Sequence, residues 1–113
     1  MPDQNVIAVL YDCDKTLTPE YMQEPIFRAY GVDGAQFWEE KERLVRDTRE
    51  KGIHMAEELA YLNQILRYVR QGKFSGLSNA RLRGLGKDLK FFPGLPEFFV
   101  RLKGTVENNP RYQ

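Results

Sequence analysis

One stretch constrains this chain more than any other: six apolar residues, Val6-Ile7-Ala8-Val9-Leu10-Tyr11, followed at once by Asp12 and Asp14. A short, unbroken apolar run rich in β-branched residues predicts a strand that is buried on both faces, as in a parallel sheet. In open α/β sheets, ligands bind at the edge formed by the carboxyl ends of the strands. The sequence therefore predicts that both aspartates lie at a ligand-binding edge.

Two neighbouring carboxylates have a definite chemistry. Asp12 and Asp14 repel each other, and an oxygen-rich site of this kind suits a hard divalent cation such as magnesium. One carboxylate can attack phosphorus to form an aspartyl-phosphate, and a metal ion offsets the repulsion between the two anions. The second carboxylate can then donate a proton to the leaving group.

Three other interpretations compete with catalysis. The stretch can be a polar exit from a strand, because Asp and Thr are common in turns. It can also be an anion site at a strand end that performs no reaction. A calcium loop of the EF-hand type is excluded, because Leu17 and Gln23 stand where that loop needs Gly and Glu.

Residues 6–18, which end in Asp-x-Asp-x-Thr-Leu-Thr, resemble the first motif of the haloacid dehalogenase-like (HAD) hydrolase superfamily, in its phosphatase branch. The resemblance implies that Asp12 is the nucleophile and Asp14 the general acid/base. It also implies that Mg²⁺ is held by the Asp12 carboxylate and the Asp14 backbone carbonyl, and that Thr16 supports the loop. Many relatives carry Gly where this chain has Lys15.

The same resemblance implies a fold and a domain division. HAD-like phosphatases have an α/β, Rossmann-like core with an inserted helical cap. By that pattern residues 1–18 form the first core strand and nucleophile loop, residues 19–88 the cap, and residues 89–113 the return to the core. The later family motifs, which bind phosphate and metal, have no counterpart here. We therefore expect a mostly α-helical fragment with one core strand that is inactive alone. Three origins stay open: a truncated product, an artificially shortened chain, or a fragment that another chain or segment completes.

Local signals predict helices across the proposed cap. Thr18 followed by Pro19 predicts a helix that runs to Tyr30 and stops at Gly31, with a kink or restart at Pro25. Asp33 with Gln36 predicts a second helix to about Lys51, ended by Gly52. Its expected inner side consists of Phe37, Leu44, Val45 and Thr48.

A third helix is predicted from about His54 to Gln71. Its apolar residues recur at intervals of three and four, which predicts a stripe buried in the core. The members of that stripe are Met55, Leu59, Leu62, Leu66 and Val69. Further along, Ser78 is predicted to cap a short helix through Arg83, and Pro96 to start a helix from Glu97 to Lys103 that Gly104 ends.

Composition limits the class of protein. The 113 residues suit one domain, and 42% hydrophobic with 29% charged residues is ordinary for a soluble globular protein. No signal peptide or long apolar run is visible, so we expect no membrane partner. Cys13 is the only cysteine, which excludes an intrachain disulfide and favours the cytoplasm. Between two carboxylates its thiolate is disfavoured, so Cys13 is interpreted as a spacer.

Charge is uneven, although the net charge is only +1. Residues 65–90 contain seven Lys or Arg against a single Asp, which could neutralise nucleic-acid phosphates. No known nucleic-acid-binding motif accompanies them, so a nucleic-acid partner is not expected. These basic residues are Arg67, Arg70, Lys73, Arg81, Arg83, Lys87 and Lys90.

Two functions follow as hypotheses. The first is a magnesium-dependent phosphatase of the HAD-like superfamily that acts on a small phosphorylated substrate through an aspartyl-phosphate intermediate. The alternative is a non-catalytic helical module that binds a partner and whose aspartates are vestigial.

Overall fold

A computed structural model describes residues 8–112. Within this range the chain contains five α-helices and two short 3-10 turns, and it divides into two compact units. Unit 1 is formed by Met1–Met22 together with Lys90–Gln113, and unit 2 by Gln23–Leu89. The helices are α1 (Glu24–Tyr30), α2 (Gly34–Glu50), α3 (Glu57–Arg70), α4 (Asn79–Leu85) and α5 (Glu97–Glu107), and the 3-10 turns are Gly86–Asp88 and Pro110–Tyr112.

The predicted α/β core is wrong for the residues described. Residues 8–112 contain no strand, so they form no Rossmann-like sheet; their single bridge joins Asp14 and Thr18 within one turn. The predicted strand over residues 6–11 is irregular from residue 8 onward, and Val6 and Ile7 lie outside the described residues. Leu10 is 93% exposed. An apolar run forms a strand only where neighbouring strands pair its N–H and C=O groups, and the described segments supply none.

The domain roles assigned by resemblance stay a prediction. The predicted cap, residues 19–88, begins four residues before Gln23, the first residue of unit 2. It ends one residue before Leu89, the last residue of that unit. Residues 19–22, which were assigned to the cap, belong to unit 1 together with the aspartate loop.

Helix α1 begins later than the sequence indicated. Residues 18–23 form turns and bends, and the helix starts at Glu24 with Pro25 in its first turn. Because proline has no N–H to lose and its φ is already helical, it suits that position. Gly31, with a φ of 61°, ends the helix in the left-handed conformation, as predicted.

Helix α2 is confirmed closely. The Asp33 side chain accepts hydrogen bonds from the backbone N–H groups of Ala35 (2.8 Å) and Gln36 (3.4 Å), and the helix ends just before Lys51 and Gly52. Of its predicted inner side, Phe37 is fully buried and Val45 is buried, whereas Leu44 and Thr48 are half-buried.

The predicted buried stripe of α3 is wrong for its three leucines, whereas Val69 packs against the core and Met55 is half-buried. Leu59, Leu62 and Leu66 are about half exposed, whereas Ala60, Gln64 and Tyr68 are buried. The two sets lie on opposite sides of the helix. The side that faces the core was missed because it includes a glutamine and a tyrosine, which hydropathy scores as polar.

Aromatic rings fill the core of unit 2. Phe37 is fully buried and contacts Phe27, Tyr68 and Phe74, with ring centroids 5.0, 5.2 and 6.3 Å away. Ile26 and Leu85 complete the buried cluster, so residues from α1, α2, α3 and α4 meet there. Ser78 caps α4 by accepting a hydrogen bond from the Arg81 N–H at 3.2 Å, as predicted, although the helix continues to Leu85.

Helix α5 differs from the prediction at its end. Pro96 precedes its first residue, as expected, but the helix continues through Gly104 to Glu107. None of its residues is buried, and Phe99 and Val100 are exposed. A glycine inside a helix lowers its stability by only about 1 kcal/mol, which does not end the helix by itself.

Candidate functional site

The candidate site is the aspartate loop, residues 12–18, which lies in unit 1. A single acceptor organises its backbone: the carbonyl oxygen of Cys13 accepts N–H groups from Thr16 (3.2 Å), Leu17 (2.9 Å) and Thr18 (3.2 Å). This arrangement folds the chain into one tight turn. Cys13 thus organises the turn through its backbone carbonyl, and the interpretation of its side chain as a spacer stays a prediction.

Lys15 adopts a left-handed backbone conformation in this turn, which is energetically unfavourable for a residue with a side chain. Its φ is 59°, and it is the one non-glycine residue with a positive φ in the described chain. This left-handed conformation costs an ordinary side chain roughly 1–2 kcal/mol, which is why glycine suits such a position. The Lys15 ammonium group lies over the ring of Tyr21, 4.2 Å from its centroid, and this cation–π contact offsets part of the cost.

Side-chain contacts orient both aspartates. Asp14 is half-buried, and its Oδ1 accepts the backbone N–H of Met22 at 3.1 Å, which ties the loop to the segment that follows it. Asp12 is exposed, and the Thr16 hydroxyl donates to its Oδ2 over 3.4 Å, near the long limit for a hydrogen bond. Asp12 is therefore the more accessible carboxylate and Asp14 the more constrained one.

Thr18 anchors the end of the loop. It is fully buried, and its hydroxyl donates to the carbonyl oxygen of Glu20 at 2.7 Å and also lies 3.2 Å from that of Cys13. The sequence predicted Thr18 as a helix cap, and that prediction is wrong, because no helix follows it directly. Its hydroxyl satisfies loop carbonyls instead.

The segment after unit 2 returns to this loop. The backbone N–H of Phe92 donates to the carbonyl oxygen of Leu17 at 3.0 Å. Just before the aspartates, the ring of Tyr11 makes edge contacts with Phe98 (5.9 Å) and Phe99 (5.5 Å) on α5. Both flanks of the loop are therefore held by residues 92–99.

The described loop can supply only some of the oxygen ligands that Mg²⁺ needs. Mg²⁺ is commonly bound by one or two carboxylates, while water and substrate phosphate supply the remaining ligands. Asp12 and Asp14 can supply the carboxylate share. Within residues 8–112 no group of three or more His, Cys, Asp or Glu side chains comes together, so a complete protein cage is not present there.

Sequence reasoning singled out the three site residues but not their neighbours. The loop brings Asp12, Asp14 and Thr16 into one turn, and their catalytic and metal-binding roles stay predictions. Tyr21, Met22 and Phe92 contact the loop and were missed. No sequence signal marks a backbone N–H as the partner of a distant carboxylate or carbonyl, so only the folded chain reveals these contacts.

The basic residues of 65–90 do not all face outward as free cations. The Lys73 ammonium lies 3.8 Å from the Glu40 carboxylate and 4.1 Å from the centroid of the Tyr68 ring. Lys73 thus contacts Glu40 and Tyr68 at the surface of unit 2, where its side chain is 38% exposed. No helix among residues 8–112 is both long and apolar enough to cross a bilayer.

Comparison with known proteins gives one informative similarity. No family model and no solved structure matches the chain. An uncharacterized protein of Borreliella burgdorferi (strain ATCC 35210 / DSM 4680 / CIP 102532 / B31) is 39% identical over 97 residues, which is 85% of this chain. The matched region is 34% of that relative, so the chain spans about a third of the length of the curated protein it matches.

Proposed function

We propose that the protein carrying this chain is a magnesium-dependent phosphomonoester hydrolase of the HAD-like phosphatase type. The observation that carries the proposal is the contrast between the two aspartates of one tight turn. Asp12 is exposed at the start of the turn, whereas Asp14 is half-buried and oriented by the Met22 N–H. An accessible carboxylate suits a nucleophile, and an oriented one suits a proton donor.

The reaction would proceed in two steps. A carboxylate oxygen of Asp12 attacks phosphorus, the bond from phosphorus to the ester oxygen breaks, and the leaving oxygen takes the proton of the Asp14 carboxylic acid. In the second step Asp14 accepts a proton from water, whose oxygen attacks the phosphorus. The phosphorus–oxygen bond to Asp12 then breaks, which releases inorganic phosphate and restores both carboxyl groups.

The remaining residues of the loop would support this chemistry. The Thr16 hydroxyl, which donates to Asp12, would restrict the rotation of the nucleophile. Asp12 and the backbone carbonyl of Asp14 would hold Mg²⁺. When bound, the ion would offset the negative charge shared by the carboxylate and the phosphate.

Further parts of the site would come from another segment or chain. The family's phosphate-binding and second acidic motifs have no counterpart in these 113 residues. A relative about three times as long as the matched region has room for them. We include a small phosphorylated substrate and a cytoplasmic location in the proposal, the latter because the single cysteine suits a reducing compartment.

Trapping the phosphorylated aspartate tests this proposal in the longest protein that carries the chain. With a phosphomonoester and Mg²⁺, mass spectrometry should find one added phosphoryl group on the peptide that contains Asp12. Asp12→Asn should abolish it. Asp14→Asn should still form the adduct but turn over about 10²–10⁴-fold more slowly, because proton transfer is lost.

Asp47→Asn is the matched control, because Asp47 is an exposed aspartate on α2, in the other unit. It should leave the rate unchanged. Near-normal turnover by Asp12→Asn would show that Asp12 is not the nucleophile.

The alternative is a non-catalytic module that binds a partner through its helices. Exposed leucines on α3 favour it, because they form an apolar surface that the described chain leaves uncovered. Absence of any phosphatase activity in the longer protein, together with specific binding through α3, would support this alternative.

A further inference from the structure

Three leucines of α3 form an exposed line, here called the leucine ridge: Leu59, Leu62 and Leu66. Their exposed fractions are 52%, 54% and 52%. Scattered exposed leucines are normal in proteins, but three in one line on a single helix form a continuous apolar surface. This surface calls for an explanation that is separate from the aspartate loop, which belongs to unit 1.

The ridge is not a displaced part of the core. On the opposite side of α3, the buried residues Ala60, Gln64 and Tyr68 recur every four positions and pack into unit 2. Gln64 also donates to the Glu40 carboxylate at 2.7 Å, which fixes the rotation of the helix. Turning the ridge inward would expose Tyr68 and break that hydrogen bond, so the outward position of the leucines is determined by the fold.

The spacing of the ridge indicates the shape of its partner. Intervals of three and then four residues place the leucines along a narrow seam, narrower than the stripe of a helix that packs on a broad core. Such a seam accepts the side chains of another helix as knobs into holes. The complementary surface is therefore a helix with leucines at the same spacing.

The charges at the ends of α3 indicate its orientation. Its last turn carries Arg67 and Arg70, and its first turn carries Glu57 and Glu58. The Glu57 carboxylate pairs with the Lys41 ammonium of α2, so the acidic charge that this end presents to another helix is that of Glu58. Two such helices side by side in parallel would place like charges together at both ends. An antiparallel pair brings the acidic end of each helix beside the basic end of the other and also aligns the helix dipoles favourably.

We propose that the leucine ridge is a dimerisation surface that pairs α3 with α3 of a second copy of this chain. The two helices run antiparallel about a twofold axis, so each contributes the same patch. Leu62 lies nearest the axis, and Leu59 of each copy lies opposite Leu66 of the other. The inference does not depend on the proposed hydrolase activity.

The pairing should be weak. A stable interface of standard size buries about 800 Å² on each partner, which is more than three half-exposed leucines provide. Because the helix is already formed and fixed in unit 2, pairing requires little ordering of the chain. We expect a dissociation constant of roughly 10–100 μM.

Sedimentation equilibrium of the 113-residue chain, over concentrations up to about 1 mM, tests the proposal. The native chain should change from monomer to dimer within this range. Leu62→Glu should remain monomeric throughout, because two carboxylates would meet near the axis. Circular dichroism should show unchanged helix content, since residue 62 is solvent-exposed on a helix that is packed from its other side.

Val100→Glu on α5 is the matched control, because it makes the same apolar-to-acidic change at an exposed helical position of unit 1, where Val100 is 73% exposed. Its self-association should equal that of the native chain. The proposal is overturned if the native chain stays monomeric or if the dimer still forms in Leu62→Glu. It is also overturned if Val100→Glu loses as much self-association as Leu62→Glu.

Engineered cysteines distinguish the orientation. In a Cys13→Ser background, Leu59→Cys combined with Leu66→Cys should form intermolecular disulfides rapidly, because these positions face each other in the antiparallel pair. Leu59→Cys alone should cross-link slowly, because a disulfide needs Cα atoms within about 7 Å. Rapid cross-linking of the single variant would indicate a parallel pair and would overturn the proposed geometry.

Discussion

The backbone N–H of Phe92 donates a hydrogen bond of 3.0 Å to the carbonyl oxygen of Leu17, and so joins the end of the aspartate loop to the chain that returns from unit 2. The bond holds together two segments that are remote in sequence but belong to one compact unit. The position of the loop therefore depends on residues after unit 2 as well as on those before it.

Thr18→Val should destabilise the aspartate loop. Valine fills the same volume but removes the hydroxyl that donates to the Glu20 carbonyl oxygen at 2.7 Å. The loss of one hydrogen bond between partly buried groups costs about 0.5–1.5 kcal/mol. We expect faster amide hydrogen exchange at Leu17 and Phe92, measured by mass spectrometry after proteolysis.

Thr105→Val on α5 serves as the control for this change. The Thr105 hydroxyl donates to the Arg101 carbonyl at 2.9 Å, but the residue is exposed, so water can replace the bond. Exchange in the loop should be unchanged. Equal exchange rates in Thr18→Val and the native chain would contradict an anchoring role for the Thr18 hydroxyl.

Gly34→Ala should destabilise unit 2, although alanine favours helices. A Cβ at Gly34 would lie 2.9 Å from Cδ2 of Phe27, whose ring is buried and cannot move aside freely. Overpacking of this kind costs about 1–3 kcal/mol. Fluorescence of Trp38, the only tryptophan, reports the unfolding of unit 2 in urea, because its indole stacks on Tyr61 with centroids 5.8 Å apart.

The matched control for Gly34→Ala is Gly84→Ala on α4. No atom lies within 4 Å of a Cβ built at that position, so this change should stabilise unit 2 by about 0.5–1 kcal/mol through helix propensity alone. The two Gly→Ala changes should thus have opposite signs. A stabilised Gly34→Ala would show that Phe27 adjusts without cost.

Acid should weaken unit 2 through Glu40. Burial raises the pKa of this carboxyl, but the hydrogen bond from Gln64, the charge of Lys73 and further hydrogen bonds outweigh it and hold the pKa below its ordinary 4.5. A carboxyl whose folded pKa is depressed stabilises the fold above its unfolded pKa, and this contribution is lost as the pH falls through the folded value. Urea unfolding followed by Trp38 should show this loss as the pH falls below 4.5.

Glu40→Gln should cost about 1–2 kcal/mol at pH 7, where hydrogen bonds to the charged group are lost, and should flatten the acid dependence. Glu39→Gln is the neighbouring control, since Glu39 is exposed and its contact with Arg43 is 3.5 Å long. It should reproduce the native pH profile. Identical acid profiles for Glu40→Gln and the native chain would contradict the role assigned to Glu40.

Helix caps and helix ends could be predicted from the sequence, because one or two neighbouring residues determine them. Asp33 and Ser78 cap their helices through their own side chains, and Gly31 ends α1 because it adopts a positive φ. Such signals act within a few residues of each other. They are therefore visible without knowledge of the tertiary fold.

Contacts between residues that are remote in sequence could not be predicted. The leucines of α3 predicted a core face, but the buried face is the one with Gln64, whose partner Glu40 lies on another helix. The apolar run of residues 6–11 predicted a strand. Residues 8–11 are irregular, because strand formation depends on neighbours that the described chain does not supply. The loop residues were identified from their spacing, whereas Met22 and Phe92 became visible only through their backbone contacts.

The hydrogen bond between Phe92 and Leu17 has a consequence for how such a protein can diverge. Because unit 1 is built from both flanks of Gln23–Leu89, the two points where that segment leaves and rejoins it are held by unit 1 itself. Insertions, deletions or wholesale replacement between those points need not displace the aspartates. Evolution can therefore replace the helices between those points and keep the aspartate loop unchanged.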